Sequence, residues 1–522
     1  MFTGPQRESA RPMRYPGSRG ISSLAHWLHQ PVPADSLVAF RVVPGLACCF
    51  WSMHYLISGR AALLCAPHTF HFTWPGFEWV QPWPGGGMQI QFAVMSVAGL
   101  FLACGFLTHL SNFVIAFGIT HFFLIDRTNY QNHYYLLILI SWSSLLLPLY
   151  RIRSLDTLLG AADPLHHVPR ISLLLVQLHT ALPYIFGGIS KFDADWLSGK
   201  PMRFLLMQRF GLESENLIAI CGGNLLAWGG TIFDLLIVPG LLWRPTRTVA
   251  WTLLIAFHLT NAALFPIHIF PWLMIGLSTV FLPPNWPVTT IRRLACRTQH
   301  QPDFQPPTAV ASSHPTTTQK LTSAGLVCYC LLHVLWPLRA FVYSEPAGWT
   351  ERGHYFAWRM MLRGKTTALQ YYLTDPDTGQ SWAADYSRFL HPEQAMRFAN
   401  DPEMIRHLAE ALADSHQSTT GIRPEVRALV LSSLNGRRPQ LLIDPSVNLA
   451  AEPAWPRRRT WIMPLTEPLP EQPFEVHPTE WPKLVNLPPL PWRNPVKKNP
   501  SIPSPNSPER NYAHGTLKKS LD

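Results

Sequence analysis

The sequence is poor in charged residues and has no paired-cysteine motif. Asp, Glu, Lys and Arg make up 14% of its 522 residues and hydrophobic residues 47%, whereas about 25% of a soluble domain is charged. This balance argues against an ordinary soluble protein. The eight cysteines show no C-x-x-C spacing and none follows Cys330, so a zinc site and a disulfide scaffold are both weakly supported.

Signals for secretion and for nucleic-acid binding are also lacking. The first twenty residues contain four arginines but no apolar core, so no cleavable signal peptide is expected there. The formal net charge is +11, but the basic residues flank apolar segments or lie in the C-terminal tail. Because no compact basic face is interleaved with aromatic residues, we predict no nucleic-acid partner.

Long apolar segments dominate the first two thirds of the chain. A spanning helix needs about 20 mostly apolar residues, and nine segments approach that length. They lie at residues 37–58, 88–108, 111–126, 133–150, 171–190, 216–242, 247–264, 266–283 and 321–343. The pattern predicts a polytopic α-helical membrane protein with about nine spans, followed by an extramembrane α+β domain.

Four parts of the chain are predicted from these patterns. They are a basic cytoplasmic N-terminus at 1–30, a helical membrane domain at 31–343, the extramembrane α+β domain at 344–467 and a Pro-rich, largely disordered tail at 468–522. Within the α+β domain, "TALQYYLTD" and "PQLLIDPSVNL" are typical of strands, and residues 392–416 are typical of a helix.

Basic residues in the loops predict the orientation in the membrane. Loops on the same predicted side as the N-terminus contain Arg151, Arg153, Arg244, Arg247, Arg292, Arg293 and Arg297. The positive-inside rule then places the N-terminus in the cytoplasm and the C-terminal domain on the outer side, whether periplasmic, extracellular or lumenal. Residues 298–319 are predicted to form a flexible inner loop. The outer loop 191–215 is an exception to the rule, since it carries four basic residues.

Ionisable residues inside apolar segments are costly and are therefore candidates for function. The polar candidates are Arg41, Asp126, Asn129, Asn132, His133, Lys191, Asp234, His258 and Asn261. Each has a structural alternative. Arg41 and Arg127 reach lipid headgroups or pair with an acid such as Asp234 or Asp126, and a histidine within a helix packs through a hydrogen bond. The two acids that follow Lys191 are helix caps or solvated charges.

Lys191 ends the apolar segment "YIFGGISK" and allows two interpretations. A lysine in this position usually anchors a helix at the lipid boundary. Desolvation against an apolar cavity instead favours the neutral amine, which accepts a proton from a weakly acidic hydroxyl such as that of a quinol. Asp193 and Asp195 favour the charged form. The residues alone therefore indicate a polytopic membrane protein with a buried polar centre.

Six motifs in order resemble the vitamin K-dependent γ-glutamyl carboxylase family and its bacterial homologues with the horizontally transferred transmembrane domain. They are "PADSLVAFRVVPG", "IDRTNYQNHYYL", "KFDADWLSGKPMRFL", "FHLTNAALFPIHIFPW", "WTERGHYFAWRMML" and "LIDPSVNLAAEPAWPRRRTWIMPL". The resemblance covers roughly residues 30–465. Its strength lies in the order of the motifs rather than in any one of them.

The resemblance implies an integral-membrane enzyme that oxidises reduced vitamin K, a hydroquinone, with O2 to the 2,3-epoxide and adds CO2 to a peptide glutamate. Reduced vitamin K is then the cofactor, O2 and CO2 are co-substrates, and no metal is expected. The implied partners are the lipid bilayer and a glutamate-containing peptide or protein. Lys191 matches the family's catalytic lysine, which deprotonates the hydroquinone, and Ser190 stands where family members carry a second lysine.

The same resemblance implies the other site residues. His133 with Asn132 matches an Asn-His pair implicated in positioning the reactive oxygen species and in carboxylation, so His133 is a second predicted catalytic residue. Residues expected to face the quinone or oxygen are Asn132, His258, Asn261, Trp196, Tyr130 and Phe265. The intramembrane polar residues expected to be structural are Arg41, Asp126 and Asp234.

Two departures from the family leave other functions open. The animal enzymes continue well beyond the matched lumenal stretch, which leaves recognition of a substrate propeptide open. No cysteine follows Cys330, so a disulfide between the two halves is not expected. The alternatives are a quinol-epoxidising or quinone-binding relative without peptide carboxylation, and a non-enzymatic membrane scaffold or transporter. No inverted repeat is evident, which argues against a transporter.

Overall fold

The computed structural model describes residues 21–64, 70–213, 216–265, 267–294, 316–454 and 459–492. Three sequence predictions fall partly on other residues. Most of the basic N-terminus, most of the inner loop and the tail after Trp492 lie outside the described residues.

The first two thirds of the chain are helical. The helices are α1 Ile21–Leu28, α2 Ser36–Ile57, α3 Arg60–Leu63, α4 Gly87–Cys104, α5 Thr108–Ile125, α6 Asn132–Ser144, α7 Leu155–Leu158, α8 Arg170–Ser190, α9 Ala194–Leu197, α10 Lys200–Phe210, α11 Leu217–Leu242, α12 Arg247–Leu264, α13 Phe270–Ser278, α14 Trp286–Leu294, α15 Thr317–Leu335 and α16 Ala347–Thr350. A short antiparallel ribbon, β1 Pro31–Pro33 with β2 His167–Pro169, joins the chain before α2 to the chain before α8.

Each of the nine predicted spans coincides with one of these helices. Among the described residues, six helical segments are long and apolar enough to cross a membrane: Ser36–Ile57, Gly87–Cys104, Thr108–Ile125, Arg170–Ser190, Leu217–Leu242 and Lys320–Val342. The other three predicted spans are α6 and α13, which are shorter, and α12, which carries His258 and Asn261. The predicted class of polytopic α-helical membrane protein is confirmed, and the span count is roughly as predicted.

Glycines bring helix backbones into contact. A Cβ built on Gly45 of α2 would lie 2.7 Å from the carbonyl oxygen of Gly99 in α4, so the two helices meet backbone to backbone. The same holds between α8 and α11, where a Cβ on Gly188 would lie 2.9 Å from Leu235 Cδ2. In lipid, close approach of small residues is a main source of helix association. The second contact places Lys191, at the end of α8, next to α11.

The C-terminal domain is a four-stranded antiparallel sheet packed against helices. Its elements are β3 Lys365–Thr374, β4 Ser381–Ala384, α17 Pro392–Phe398, α18 Pro402–Thr420, β5 Glu425–Leu434, β6 Gln440–Leu441 and α19 Trp481–Leu484, with strand order β4-β3-β5-β6. β3 and β5 pair from Lys365 opposite Leu434 to Thr374 opposite Glu425. Leu408 of α18 lies in the apolar core on this sheet. The predicted α+β class is confirmed.

Two details of the domain differ from the predictions. The helix expected at 392–416 is divided into α17 and α18, because Asp401 caps and Pro402 begins a new helix. The predicted strands omit β5, the central strand next to β3. Its sequence "EVRALVLSSL" is buried at most positions and lacks the alternation of a half-exposed strand.

The first part of the predicted Pro-rich tail, up to Trp492, is folded. Trp481 and Trp492 are 2% and 4% exposed and form an apolar cluster with Leu429 of β5. Trp492 also stacks on Tyr372, with ring centroids 4.2 Å apart. These widely spaced tryptophans hold residues 468–492 on the sheet. The disorder predicted after Trp492 concerns residues outside the described ones.

Buried polar contacts join the domain to the helical bundle. Arg127 lies in the turn between α5 and α6, and its Nη2 donates to Asp401 Oδ2 at 2.8 Å. Asp126 Oδ2 accepts from Gln394 Nε2 of α17 at 2.6 Å. Phe72, in the segment before α4, lies in the core of the C-terminal domain. The domain therefore covers the end of the bundle at which α5 ends and α6 begins.

Candidate active site

One large cavity lies where the helical bundle meets the C-terminal domain. Its volume is about 1430 Å³. All eight residues predicted to be catalytic or to face the quinone or oxygen line it: Tyr130, Asn132, His133, Lys191, Trp196, His258, Asn261 and Phe265. They come from the α5–α6 turn, α6, the end of α8, α9 and α12. The fold thus brings the predicted site residues together, while their roles stay predictions.

Lys191 is a buried cation paired with a buried acid. It follows the last residue of α8, and its side chain is 8% exposed. Nζ donates to Asp234 Oδ2 of α11, whose side chain is 5% exposed. Gly187 permits this approach, because a Cβ there would lie 3.1 Å from Asp234 Oδ2. Such burial differs from the exposed position of an interfacial anchor.

The segment after Lys191 places an aromatic ring beside the amine. Asp193 caps α9 by accepting hydrogen bonds from the backbone N–H groups of Asp195 and Trp196 at 3.1 and 3.3 Å. The centroid of the Trp196 ring then lies 5.4 Å from Lys191 Nζ, and Trp196 Nε1 donates to Thr231 Oγ1 of α11 at 3.0 Å. A ring face at this distance stabilises a cation.

Two buried histidines of the cavity wall have ring nitrogens with no hydrogen-bond partner in the described part of the chain. His258 Nε2 and Tyr184 Oη share a hydrogen bond of 2.6 Å, and His258 Nδ1 is unpartnered. His133 Nε2 is also unpartnered. Each ring centroid lies 6.0 Å from that of Phe270. Because a buried polar atom without a partner is costly, these nitrogens mark positions where a bound ligand is expected to form hydrogen bonds.

Tyr130 links the helical part of the site to the C-terminal domain. Its O–H donates to Asn132 Oδ1 at 2.9 Å, and its oxygen accepts from the backbone N–H of Phe356 at 2.7 Å. Tyr130 thereby holds Asn132 beside His133 at the start of α6. Within the described ranges, no group of three or more His, Cys, Asp or Glu side chains is placed to hold a metal ion.

Arg41 and Asp126 lie outside the cavity. Arg41 donates to three backbone carbonyl groups between α6 and α7 at 2.8–3.0 Å, and Asp126 accepts from the backbone N–H of Thr128 at 2.7 Å. The sequence allowed Arg41 and Arg127 to pair with Asp234 or Asp126. Neither arginine forms such a pair in the structure. Arg127 instead pairs with Asp401, 274 positions further along the chain.

Sequence reasoning missed the contribution of the C-terminal domain to the cavity. Arg359, Arg363 and His354 also line it. Arg359 is 10% exposed, and its ion-pair partner Asp193 is 3.9 Å away, which is too far for a hydrogen bond. The basic run "WRMMLRGK" was visible in the sequence, but no local signal places it above the helices.

Burial changes the pKa values of His354, which lines the cavity, and of Glu351 and Lys365, which lie next to the cavity residue Arg363. It raises the pKa of Glu351 to about 7, although the cations of Arg363 and Lys365 act in the opposite direction. It lowers the pKa of Lys365 to about 8. Burial, followed by the charges of Arg363 and Arg359, holds the pKa of His354 well below its usual range. The cationic groups of the C-terminal domain that line the cavity are the guanidinium groups of Arg359, Arg363 and Arg397.

A bidentate ion pair fixes the domain close to Lys191. Arg437 Nη1 and Nη2 donate to Asp195 Oδ2 and Oδ1 at 2.5 and 2.7 Å, and Asn435 Nδ2 donates to Oδ2 at 2.8 Å. Burial raises the pKa of Asp195, but the hydrogen bonds from Arg437 and Asn435 contribute to a net decrease. Asp195, one of the two acids expected as a cap or a solvated charge, thus joins the two parts of the molecule.

Two protein-family models match the chain. The HTTM domain matches residues 29–286, and the lumenal domain of the vitamin K-dependent gamma-carboxylase matches residues 318–468. Together they cover more than three quarters of the chain and include every residue placed in the cavity wall above. No solved structure matches the chain significantly.

Proposed function

The chain belongs to the vitamin K-dependent gamma-carboxylase family, and we propose that it uses reduced vitamin K, O2 and CO2 to carboxylate a peptide glutamate in or beside the membrane. The main support is the convergence on one cavity of the residues that match the family's motifs, with Lys191 buried against Asp234.

The proposed reaction balances with water as the by-product. The hydroquinone is oxidised, one atom of O2 enters the 2,3-epoxide and the other leaves as water. At the substrate, the γ-C–H bond of the glutamyl residue breaks and a C–C bond to CO2 forms, so the product is γ-carboxyglutamate. Reduced vitamin K, when bound, supplies the strong base for this step through its oxygenation.

The cavity wall suits a hydroquinone ring. Trp196, Phe265 and Phe270 provide aromatic surface. The unpartnered nitrogens of His133 and His258 offer hydrogen bonds, as expected of a mostly apolar site with a few fixed polar groups. In the proposed assignment these histidines orient the ring and the oxygen, and Asn132 positions His133.

Lys191 is proposed to accept the first hydroxyl proton of the hydroquinone. The amine of Lys191 donates a hydrogen bond to Asp234, and both side chains are buried. Away from water, the ion pair and the neutral pair become closer in free energy, because buried charges lose their hydration. Transfer of the ammonium proton to Asp234 then frees the amine without leaving a net charge in the bundle.

Two guanidinium groups favour carboxylation over quinol oxidation alone. Arg359 and Arg363 line the same cavity as Lys191 but belong to the C-terminal domain. Among the described residues, Arg359 has no hydrogen-bonded acid, and guanidinium groups bind carboxylates strongly through charge-assisted hydrogen bonds. A glutamyl side chain is the acidic substrate that such a wall accommodates, whereas oxidation of a neutral quinol requires no cation there.

The activity is tested with purified protein in nanodiscs, reduced vitamin K, a glutamate-containing peptide and labelled bicarbonate. Formation of epoxide and fixation of label into the peptide support the proposal. Epoxide without fixed label supports the quinol-epoxidising alternative. The proposal fails if neither product forms, or if Lys191→Ala leaves epoxide formation untouched.

We also propose that the N-terminus is cytoplasmic and that the C-terminal domain lies on the outer side. The family name of that domain, lumenal, supports this orientation. A membrane-impermeant thiol reagent applied to intact cells should label a cysteine introduced at exposed Thr378, in the turn between β3 and β4. Labelling only after the membrane is opened would reverse the orientation.

A further inference from the structure

A second, smaller pocket lies on the other side of the cation-bearing wall of the main cavity. Its volume is about 160 Å³. Ala194 of α9 and Pro346, which precedes α16, are exposed and line this pocket but not the main cavity. The small pocket therefore opens to the surface by an entrance of its own. The residues that line both spaces form a partition between them: His354, Arg359, Leu362, Arg363 and Asn435.

The backbone is strained in and beside this partition. Eight non-glycine residues in the described part of the chain have a positive φ, and five of them lie here: Glu351, Phe356, Trp358, Met361 and Asn435. A positive φ is unfavourable for bulky side chains, and residues held in this way collect at ligand sites. Trp358 is 1% exposed and packs on Tyr135, with ring centroids 5.0 Å apart. This packing fixes the next residue, Arg359, in the partition.

Three guanidinium groups line the small pocket, and that of Arg359 has donors left for a ligand. Arg363 and Arg437 each donate to a carboxylate. Arg359 has no hydrogen-bonded acid among the described residues, since Asp193 is 3.9 Å away. A guanidinium group carries five N–H donors in one plane and binds planar oxyanions through paired hydrogen bonds. Arg359 therefore suits a planar anion that enters the small pocket.

The size and the position of the pocket favour a one-carbon anion. Sites for drug-sized ligands begin at about 300 Å³, so a pocket of about 160 Å³ is too small for a naphthoquinone or a peptide segment. The reactant that the main cavity does not account for is CO2, whose hydrated form, bicarbonate, is a planar monoanion. We propose that the small pocket binds bicarbonate through Arg359 and holds this source of CO2 beside the reacting glutamate. The inference rests on the proposed function.

His354 provides a contact that is specific for bicarbonate. Burial, followed by the charges of Arg363 and Arg359, holds the pKa of His354 well below its usual range, so the imidazole is neutral. A neutral imidazole has one acceptor nitrogen, and bicarbonate, unlike formate, has an O–H group to donate. Release of CO2 from bicarbonate takes up one proton and yields one water molecule, and both exchange with solvent through the entrance of the small pocket.

Binding is tested by NMR with carbon-13 bicarbonate and the protein in nanodiscs, where the width of the bicarbonate line reports the bound fraction. We expect the wild type to broaden the line and Arg359→Met to reduce this broadening about tenfold, as for the loss of a charge-assisted hydrogen bond. Arg359→Lys keeps the charge but not the planar fork and should give an intermediate width. Arg352→Met is the control, since Arg352 pairs with exposed Glu345 and lines neither space, and it should broaden the line as the wild type does.

Competition shows which anion the pocket prefers. Formate should narrow the bicarbonate line, and chloride at the same ionic strength should not. Equal narrowing by chloride, undiminished broadening in Arg359→Met, or wild-type broadening no greater than that of empty nanodiscs overturns the inference. These measurements need no catalysis, so their outcome is independent of whether the protein forms epoxide.

Closing the entrance tests the role of the pocket in carboxylation. Ala194→Trp places a large ring at the entrance, outside the main cavity and without a change of charge. In the assay with labelled bicarbonate, it should raise the KM for bicarbonate about tenfold and leave the rate of epoxide formation and the KM for the peptide as in the wild type. Ser344→Trp adds the same ring at an exposed position that lines neither space and should change none of these values. An unchanged KM for bicarbonate, or an equal rise in the KM for the peptide, overturns the inference but not the proposed function, which is decided by the products of the wild type.

Discussion

Buried polar groups have different partners on the two sides of the cavity. On the helical side, His133 and His258 each have a ring nitrogen without a partner in the described residues, and Lys191 pairs with Asp234. On the side of the C-terminal domain, several buried charges are paired with hydrogen-bonded charges of opposite sign, whereas Arg359 is 3.9 Å from its acid, Asp193. Examples are Arg127 with Asp401, Arg437 with Asp195 and Arg406 with Glu403.

This difference separates groups that are available for a ligand from groups that hold the structure together. A buried atom without a hydrogen bond costs free energy in the empty site and recovers it when a ligand arrives. The groups of a buried bidentate ion pair have no hydrogen bonds left to offer a ligand. Removal of one partner leaves the other as an uncompensated buried charge. Variants on the helical side should therefore affect activity first, and variants of the paired charges should affect stability first.

Loss of the Lys191 amine should reduce the rate of epoxide formation more than any other change. We expect Lys191→Met to reduce epoxide formation about 10³-fold, the size of a general-base contribution. Lys191→Arg should be almost as inactive, since a guanidinium keeps the charge beside Asp234 but does not deprotonate. The rate of epoxide formation at saturating hydroquinone measures the effect.

Lys200→Met is the matched control, because Lys200 begins α10, pairs with the exposed Glu471 and does not line the cavity. It should retain wild-type activity. Substantial activity in Lys191→Arg would show that Lys191 supplies charge rather than a proton acceptor.

Breaking the ion pair between Asp195 and Arg437 should lower the free energy of unfolding rather than the rate of epoxide formation. Arg437→Met leaves a carboxylate that is 17% exposed without its partner, and we expect a loss of about 3 kcal/mol in the free energy of unfolding. Denaturant titration in detergent measures this loss. The double variant with Asp195→Asn should lose less than the sum of the two single variants.

Lys483→Met is the control for this pair, since its salt bridge with Glu480 is on the surface, and it should change stability by less than about 0.5 kcal/mol. Additive effects of Asp195→Asn and Arg437→Met would mean that the two groups do not act as a pair.

The sequence predicted the members of the site but not their pairing. Lys191, His133 and His258 were found because each is a costly polar residue in an apolar segment and each lies in a family motif. Asp234 was found for the same reason but was assigned a structural role away from Lys191. Its contact depends on the packing of α8 on α11, and the local signal for that packing was the Gly187-Gly188 pair.

The sequence also predicted the helical part of the fold better than the C-terminal domain. Membrane helices are specified by long apolar runs, which are local properties. β5 is defined by its pairing with β3 at a separation of some sixty residues, and its apolar run does not identify its partner. The fold of residues 468–492 depends on where Trp481 and Trp492 are buried, which composition does not show.

Removal of the Asp234 carboxylate should have an intermediate effect, because this residue is proposed to act through Lys191. We expect Asp234→Asn to lower the kcat of epoxide formation between about 10- and 100-fold with little change in the KM for the hydroquinone. Asp234→Glu should recover part of the rate. A purely structural role would instead lower the amount of folded protein and would leave the kcat of the folded fraction intact.

The smallest effect is expected on the pH dependence of stability, at Glu351. This residue of the C-terminal domain is buried next to cations but keeps one carboxylate oxygen without a partner within the described chain. Its Oε1 faces Arg363 and Lys365, but its Oε2 has no hydrogen-bond partner in the described residues. Burial raises its pKa from 4.5 to about 7, so the folded protein binds this proton more tightly than the unfolded chain. Stability should therefore decrease as the pH rises through this window and become level above it.

Replacement of Glu351 by Gln should remove this pH dependence. We expect the difference in Tm between about pH 5 and about pH 7.5 to be smaller in Glu351→Gln than in the wild type. Glu345→Gln is the control, since Glu345 is 45% exposed and lies 3.5 Å from Arg352, and it should keep the wild-type difference. If Glu351→Gln also keeps it, the carboxyl group is ionised throughout, and Arg363 and Lys365 outweigh the effect of burial. Glu351 would then belong with the other paired charges of the C-terminal domain.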